Sequence, residues 1–286
     1  MTESMTNMTN YVEFLLMGFP DGQVFQTLCA TLFLLIYMAA LMGNILIIIL
    51  TTIDQHLQSP MYFFLKNLSL IDICYISVTV PKSIMNSVIN IHSISFLGCV
   101  LQVFCFVFLT GTEFALLLVM SYDRYAAICL PLHYETIMNR TACVQMVAIT
   151  WLSGCFYGSL HAAGTFSVHF CGPNIIHQFF CDIPSLLTLA CSGEQILEYV
   201  IPSDQGRFKS FSTCVPHLTV VALFLSSGYF AYLGPTSNSA ASLNLLMSVF
   251  YSLLPPSLNP VIYGLRNRDM KVALYSILGD KMTQTF

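Results

Sequence analysis

Long hydrophobic runs without charged side chains alternate with short polar segments along the chain. The longest run, Ser210–Leu265, contains no Asp, Glu, Lys or Arg. The polar stretch Gly234–Ser239 interrupts it. A helix needs about 20 mostly apolar residues to cross the hydrocarbon core of a membrane. The pattern therefore predicts six spanning helices, at about residues 25–51, 59–81, 98–123, 142–164, 211–233 and 239–263.

The composition supports this interpretation, because 56% of the residues are hydrophobic and only 8% are charged. A soluble domain carries roughly 25% charged residues, so a soluble fold is excluded. The predicted helices do not repeat one another, and no strands alternate as in a porin. We therefore expect one all-α membrane bundle surrounded by lipid, and no basic patch suggests a nucleic-acid partner.

The two ends of the chain predict its orientation in the membrane. Residues 1–24 hold acidic but no basic side chains and lack the early apolar core of a cleavable signal peptide. This tail is expected outside the cell, where Asn7 begins an acceptor sequence for N-glycosylation. Residues 264–286, which open with Arg266 and Arg268, are expected to form a cytoplasmic amphipathic tail.

Two carboxylates lie inside predicted helices, where ionisable groups are costly and mark functional sites. Glu113 precedes Arg124 by about three helical turns, which places it at a membrane depth similar to that of Asp72. Such a pair either shares one proton or holds a cation such as Na⁺, with Asn44 and Asn259 as further oxygen ligands. A buried polar cluster with a purely structural role is the alternative.

Two motifs near the cytoplasmic side indicate moving parts. Asp123 and Arg124 can form an ion pair that locks the end of the third helix, although an arginine at this position can also simply reach the lipid headgroups. In the last helix, the prolines that end with Pro260 remove backbone hydrogen bonds. Asn259 can bond the freed backbone, and the kink offers a hinge.

Four of the 11 cysteines are expected outside the cell, where thiols oxidise to disulfides. Cys171, Cys181 and Cys191 recur every ten residues in one loop, and Cys99 opens the third helix. Two bridges are therefore expected. A spacing of ten is not a pattern of zinc ligands, so we interpret the histidines of this loop as ordinary loop residues.

Five sequence blocks carry a specific pattern. The blocks are Gly43-Asn44, PMYFFLKNLSLIDICYISVTVPK at Pro60–Lys82, MSYDRYAAICLPLHY at Met120–Tyr134, FKSFSTCVPHLTVV at Phe208–Val221 and PPSLNPVIYGLRN at Pro255–Asn267. In this order the blocks resemble those of a vertebrate olfactory receptor. The olfactory receptors are a family of rhodopsin-like G-protein-coupled receptors. The resemblance extends from about Glu13 to Asp280, with Ser121 and Gly264 as small departures from the family pattern.

The resemblance implies seven helices, an extracellular N-terminus and the disulfides Cys99–Cys181 and Cys171–Cys191. It also implies odorant binding, a heterotrimeric stimulatory G protein as partner, and no cofactor apart from Na⁺ at Asp72 and Glu113. The activation switch would comprise Asp123, Arg124, Tyr125, Asn259, Pro260 and Tyr263. The residues that would line the odorant cavity are Phe106, Val107, Thr110, Gly111, Leu225, Gly228, Tyr232, Val249 and Ser252, with ordinary helix packing as the alternative for each.

One helix of the family has no counterpart in the sequence. The family places its fifth helix between the equivalents of Val200 and Ile201, where about 26 residues, enough for one span, are absent through a deletion or a gene-model artefact. The segment from Cys191 to Arg207 is too short and too acidic to cross a membrane itself. Either the last two helices insert inverted or the fourth helix stays out, and both would remove one wall of the cavity and part of the G-protein surface.

The leading functional interpretation is an odorant receptor of the plasma membrane that binds small volatile apolar ligands. The alternative is a non-signalling receptor remnant that stays in the endoplasmic reticulum, or a truncated gene product. A channel or transporter is disfavoured because the carboxylate cluster gives no continuous polar path. An enzyme is disfavoured because the sequence offers no pair of nucleophile and base outside the bundle.

Overall fold

The computed structural model describes residues 13–17, 22–89, 92–191, 241–265 and 269–275. The segment 211–233, Asn7, the Val200–Ile201 junction, Arg266 and Arg268 lie outside these ranges. The helices are α1 Gln23–Ile53, α2 Pro60–Ile89, α3 Phe96–Cys129, α4 Tyr134–Ile137, α5 Arg140–Phe166, α6 Ile183–Leu187 and α7 Ala241–Asn259, and a π-helix follows at Pro260–Leu265. Residues 269–275 are also helical.

Four of these helices, α1, α2, α3 and α5, are long and apolar enough to cross a membrane. They overlap the first four predicted spans and extend beyond the predicted bounds at both ends, except that α2 begins at Pro60, one residue later than predicted. Helix α2 continues through Pro81 and Lys82 to Ile89, and the Lys82 ammonium donates to the Ser93 carbonyl (2.9 Å). Side chains cap two starts: Ser95 accepts from Gly98 N (3.1 Å), and Asn139 accepts from Ala142 N (2.9 Å).

Glycines allow α3 and α5 to pack closely. A Cβ atom on Gly154 would lie 2.0 Å from Thr112 Oγ1, and one on Gly158 would lie 2.9 Å from Phe108 Cβ. Small residues at such spacing let two membrane helices approach until their backbones touch. This contact fixes the position of α3 along the axis of α5.

A small three-stranded sheet, which the all-α prediction does not include, covers the outer end of the bundle. Its strands are β1 Glu13–Leu16, β2 Ser93–Ser95 and β3 Ile175–Ile176, in the order β2-β1-β3. Strand β1 pairs antiparallel with β2 and parallel with β3. Alternation along β1 buries Phe14 and Leu16 while Glu13 and Leu15 stay exposed, so the strand closes the outer hydrophobic cluster.

Two disulfides fix the loop beneath this sheet. Cys99 at the start of α3 is bonded to Cys181, and Cys171 is bonded to Cys191, which is the pairing implied by the resemblance. Both Cys99 and Cys181 are buried in a cluster with Phe14 and Val107. The loop is therefore held on top of α3, above the centre of the bundle.

Candidate functional site

A buried polar cluster joins three helices at the centre of the bundle. Asn259, the last residue of α7, donates from Nδ2 to Asp72 Oδ1 (3.1 Å) and Oδ2 (3.0 Å) on α2, and to Glu113 Oε1 (3.0 Å) on α3. Asp72 and Glu113 are 0% exposed and Asn259 is 1% exposed. The structure thus brings the two predicted carboxylates within hydrogen-bond reach of one nitrogen atom.

Asn44 donates a hydrogen bond to a backbone carbonyl of the last helix that a proline leaves without its usual donor. Pro260 has no N–H, so the carbonyl of Pro256, four residues earlier, has no partner within its own helix. Asn44 Nδ2 on α1 donates to this carbonyl (2.9 Å). Gly43 allows the approach, because a Cβ atom there would lie 2.9 Å from Pro260 Cβ. Asn44 therefore bonds this carbonyl, and the Asn259 amide nitrogen turns to the carboxylates.

The cluster holds more hydrogen-bond acceptors than donors. Three of its buried oxygen atoms have no partner among the described residues: Asn44 Oδ1, Glu113 Oε2 and Asn259 Oδ1. Within that part of the chain the one ion pair lies elsewhere, at Arg124, so no basic side chain neutralises the two carboxylates. An all-oxygen ligand set suits a hard cation, and half a turn of the Asn259 amide would bring its oxygen towards the carboxylates.

These residues therefore fit a small monovalent cation. Asp72 and Glu113 would supply the charge and Asn259 a neutral oxygen. Asn44 Nδ2 is bonded to the Pro256 carbonyl, whereas Asn44 Oδ1 has no partner among the described residues and could be a further neutral ligand. No group of three or more His, Cys, Asp or Glu that could hold a metal ion occurs among the described residues.

The predicted cytoplasmic switch forms a three-residue network. Arg124 donates to Asp123 Oδ2 from Nε (2.9 Å) and from a terminal guanidinium nitrogen, and Tyr134 OH donates to Asp123 Oδ1 (2.8 Å). Burial raises the pKa of the Tyr134 hydroxyl, and its bond to Asp123 raises it further, so that the donor stays protonated. Tyr134 is not among the predicted switch residues, although it closes the MSYDRYAAICLPLHY block.

The remaining switch residues occupy different environments. Tyr263 is 5% exposed and belongs to the largest hydrophobic cluster. Pro260 begins the π-helix. Tyr125 is 47% exposed and stacks with Tyr122, with ring centroids 6.4 Å apart. The predicted switch is thus spread over two levels of the bundle, one at Asn259 and one at Asp123.

Phe106, one of the predicted lining residues, lies where the hydrophobic clusters of the bundle meet. It packs against all three hydrophobic clusters, and its ring centroid lies 5.0 Å from that of Tyr75 and 5.1 Å from that of Phe180. Val107 is buried one residue further along α3. An apolar wall therefore lies directly beneath the cysteine loop.

The other predicted lining residues are less uniform. Ser252 is 0% exposed and Val249 packs against the cluster that contains Phe179. Thr110 donates to the Phe106 carbonyl of its own helix (2.8 Å). Gly111 faces α5, where a Cβ atom would lie 3.1 Å from Tyr157 Cδ1. Leu225, Gly228 and Tyr232 lie outside the described residues.

A further polar set on α2 was not predicted. Thr79, Ser83 and Asn86 are buried on the outer half of the helix. Their spacing of four and three residues, which places them on one helical face, is the signal that could have revealed them.

Comparison with known families agrees with this arrangement. The chain matches the family described as "7 transmembrane receptor (rhodopsin family)" over residues 43–200 and the family described as "Olfactory receptor" over residues 192–281. The first match spans more than half of the chain and defines its class, a rhodopsin-like receptor with a helical membrane bundle.

Individual relatives narrow the assignment. The chain is 50% identical to human Olfactory receptor 14A16 over 309 residues, which cover 98% of this chain and 100% of that protein. It is 52% identical to human Olfactory receptor 14L1 over 302 residues, with 96% of this chain and 93% of that protein covered. Mouse Olfactory receptor 1E16 is 40% identical over 307 residues, with 97% and 98% covered. The chain therefore belongs to the olfactory receptor family of multi-pass membrane receptors, which are not enzymes.

Proposed function

We propose that this protein is an odorant receptor of the plasma membrane, which binds small volatile apolar molecules and activates a stimulatory G protein. The observation that carries this proposal is the 50% sequence identity to Olfactory receptor 14A16 along the whole length of that protein. The chain contains the blocks Met120–Tyr134, with Asp123 and Arg124, and Pro255–Asn267, with Asn259. Asp123 and Arg124 lie at the end of α3, and Asn259 lies at the buried carboxylates.

The proposed odorant site lies around Phe106 on α3. Its described surroundings are apolar or aromatic, with Val107, Val249 and the rings of Tyr75 and Phe180 close by. Each CH₂ group that leaves water for such a site contributes about 0.8 kcal/mol. Leu225, Gly228 and Tyr232 are proposed to complete the site from the sequence pattern alone.

The proposed coupling site lies at the cytoplasmic end of α3. Asp123 holds Arg124 and accepts from Tyr134, and a G protein that competes for Arg124 would release this network. The opposite charges of Asp123 and Arg124 attract each other more strongly in this partly buried place than in water. This attraction would hold Arg124 away from a G protein and so keep the unliganded receptor inactive.

We also propose that Asp72 and Glu113 hold Na⁺ or share one proton. Two buried carboxylates without a basic partner must be neutralised in one of these ways, because an unpaired buried charge costs several kcal/mol. A cation would stabilise the arrangement in which α2, α3 and α7 meet at Asn259.

The fifth span is proposed to be missing from this chain at the Val200–Ile201 junction. The alignment with Olfactory receptor 14A16 covers 309 residues and this chain has 286, so at least 23 residues of the relative lack a counterpart. A helix of about 20 residues crosses a membrane, so the shortfall equals one span. The rhodopsin-family match also ends at residue 200.

Odorant-evoked cyclic AMP tests the receptor function. The chain would be expressed both as written and with the missing segment supplied from Olfactory receptor 14A16, and screened against a panel of volatile apolar odorants. At least one odorant should raise cyclic AMP, and Arg124→Ala should abolish the response without lowering surface staining. A repaired receptor that reaches the surface and answers no odorant would contradict the proposal.

A further inference from the structure

One side chain of α3 joins three backbones near the outer end of the bundle. Gln102 Nε2 donates to the Val78 carbonyl of α2 (2.9 Å), and Gln102 Oε1 accepts from Cys181 N in the cysteine loop (2.9 Å). One partner is a carbonyl and the other an N–H, so the amide satisfies both in this orientation only. Gln102 is 7% exposed, and water therefore has little access to replace either bond.

Each of the three joined backbones carries an aromatic ring close to the joint. The rings belong to Tyr75 on α2, Phe106 on α3 and Phe180 in the cysteine loop, which lie three, four and one residues along the chain from the groups that Gln102 joins. Residues three or four apart share one face of a helix. The ring centroids of Tyr75 and Phe180 lie 5.0 and 5.1 Å from that of Phe106. A shift at the amide would therefore move the rings that line the proposed odorant site.

The Cys99–Cys181 disulfide does not fix the Phe180 ring by itself. It attaches the loop to α3 through rotatable side-chain bonds, which allow several staggered arrangements. The bond from Cys181 N to Gln102 is a second attachment, three residues further along α3 than Cys99. Two points of attachment fix the height of the loop backbone above α3. The adjacent Phe180 ring, which is 0% exposed, is thereby held over Phe106.

The bond to α2 holds a turn that its own helix leaves weak. Pro81 lies inside α2 and has no N–H for the Ser77 carbonyl, so the helix lacks one hydrogen bond here. Gln102 supplies a bond from α3 to the next carbonyl, that of Val78. Tyr75, which is 0% exposed, lies in the preceding turn. The same amide thus holds α2 on one side of Phe106 and the cysteine loop on the other.

We propose that Gln102 is a positioning residue for odorant selectivity, whose amide holds the Phe180 ring at a fixed distance from Phe106 and so limits the length of the odorant. The inference rests on the odorant site proposed above and names a residue that shapes this site through another side chain. With a fixed Phe180, an apolar ligand gains affinity from each CH₂ group until it reaches the ring and gains none beyond it. Without the two amide bonds the ring moves away, and longer ligands fit.

Gln102→Met tests the proposal, because methionine has a similar length but forms neither bond. Gln145→Met is the matched control, since Gln145 is exposed on α5. The full chain in lipid nanodiscs would be labelled with photoreactive derivatives of hexanol, octanol and decanol, and mass spectrometry would give the half-saturating concentration of each for the peptide that contains Phe106. Relative to hexanol, the longer alcohols should bind Gln102→Met more tightly by about fourfold per additional CH₂ group. Gln145→Met should match the unmodified chain.

The ratio of these concentrations separates positioning from a loss of folded protein. Misfolding lowers the amount of saturable labelling for every alcohol alike and leaves the ratio unchanged. An unchanged ratio in Gln102→Met would therefore overturn the proposal. Gln102→Asn is the second variant, since its shorter side chain cannot reach both partners and should change the ratio in the same direction. If no alcohol labels the unmodified chain saturably, the odorant site around Phe106 is wrong and the selectivity role falls with it.

Phe180→Leu shows whether Gln102 acts through the ring. In the Phe180→Leu background, Gln102→Met should change the ratio by less than about twofold, because residues that act through one another are not additive. Equal changes in both backgrounds would contradict the assignment.

Hydrogen exchange measures the positioning without any alcohol. Exchange in the peptide that contains Cys181 should become about tenfold faster in Gln102→Met, because the loop would open locally, and should stay unchanged in Gln145→Met. Equal exchange in all three proteins would show that the Gln102 amide does not hold the cysteine loop.

Discussion

At the scale of single residues, the bundle depends on polar side chains that replace missing backbone hydrogen bonds. Asn44 illustrates this, because it donates to the Pro256 carbonyl that Pro260 leaves open. The bond joins α1 to α7 at the level of the carboxylate cluster. Loss of the Asn44 amide would leave a buried carbonyl without a partner.

We therefore expect Asn44→Ala to lower the free energy of unfolding by about 1–3 kcal/mol. Thermal unfolding of the purified receptor in nanodiscs would measure the loss. Asn67→Ala is the matched control, because Asn67 donates to the Phe63 carbonyl of its own helix (2.8 Å) and is not buried. Equal melting temperatures for the two variants would show that the Asn44–Pro256 bond contributes nothing of its own.

Some of these residues could be predicted from the sequence and others could not. Asp72 and Glu113 meet because each lies at a depth set by the helical rise, which is local information. Asn44 and Pro256 are separated by 212 residues, and their contact depends on how closely α1 approaches α7. The partner of Asn44, and hence the freedom of Asn259 to face the carboxylates, follows only from the packed bundle.

At the scale of secondary-structure elements, the contact between α3 and α5 is set by glycine. Gly154 has Thr112 Oγ1 and the Phe108 carbonyl so close that a Cβ atom would lie 2.0 and 2.8 Å from them. The neighbours include backbone, which cannot move aside as a side chain can. The two helices would have to separate to admit even one methyl group.

Gly154→Ala is therefore expected to destabilise the receptor by about 1–3 kcal/mol through overpacking. Gly164→Ala, near the C-terminal end of the same helix, has nothing within 4 Å of the new Cβ atom and should gain up to about 1 kcal/mol from helix propensity. Melting temperatures of the two variants should thus shift in opposite directions. A stable Gly154→Ala variant would mean that α5 slides along α3 without cost.

The outer sheet could not be predicted from hydrophobic alternation, because β2 has three residues and β3 has two. Such strands are too short to show a period of two. Their pairing depends on β1, whose Leu16 N donates to the His92 carbonyl (2.8 Å) and whose Leu15 N donates to the Asn174 carbonyl (2.8 Å). Residues 13–17, which precede α1, are thus part of the folded outer surface.

Phe14→Ala should release this strand, because the removal of a buried phenylalanine side chain costs about 3–5 kcal/mol. Limited proteolysis of the receptor in nanodiscs, followed by mass spectrometry, would report cleavage within residues 13–17. Leu15→Ala is the control, since Leu15 is 36% exposed on the opposite face of β1. Equal resistance of both variants to protease would show that Phe14 does not anchor β1.

At the scale of the whole molecule, the number of spans decides where each end lies. If the N-terminus lies outside, as proposed, and the four candidate spans all cross the membrane, the chain returns to the outside after α5, where an oxidising compartment would suit the two disulfides of the cysteine loop. Arg207 and Lys209 follow and favour the cytoplasm. The alignment with Olfactory receptor 14A16 is longer than this chain, and the additional residues would provide the crossing that this change of side requires.

Supplying the span that we propose is missing should therefore restore topology and signalling together. We propose to insert the corresponding segment of Olfactory receptor 14A16, about 26 residues, at Val200–Ile201. The repaired chain should have an outer N-terminus, an inner C-terminus and stronger odorant-evoked cyclic AMP than the chain as written. The reason is that one more crossing places the disulfide loop outside and the basic segment in the cytoplasm. Tags at both ends and antibody staining of intact and permeabilised cells measure the topology. A Gly/Ser insertion of equal length is the control, since it lengthens the loop without crossing the membrane. If the chain as written already shows its N-terminal tag, hides its C-terminal tag and signals as strongly as the repaired receptor, the fifth span is not required.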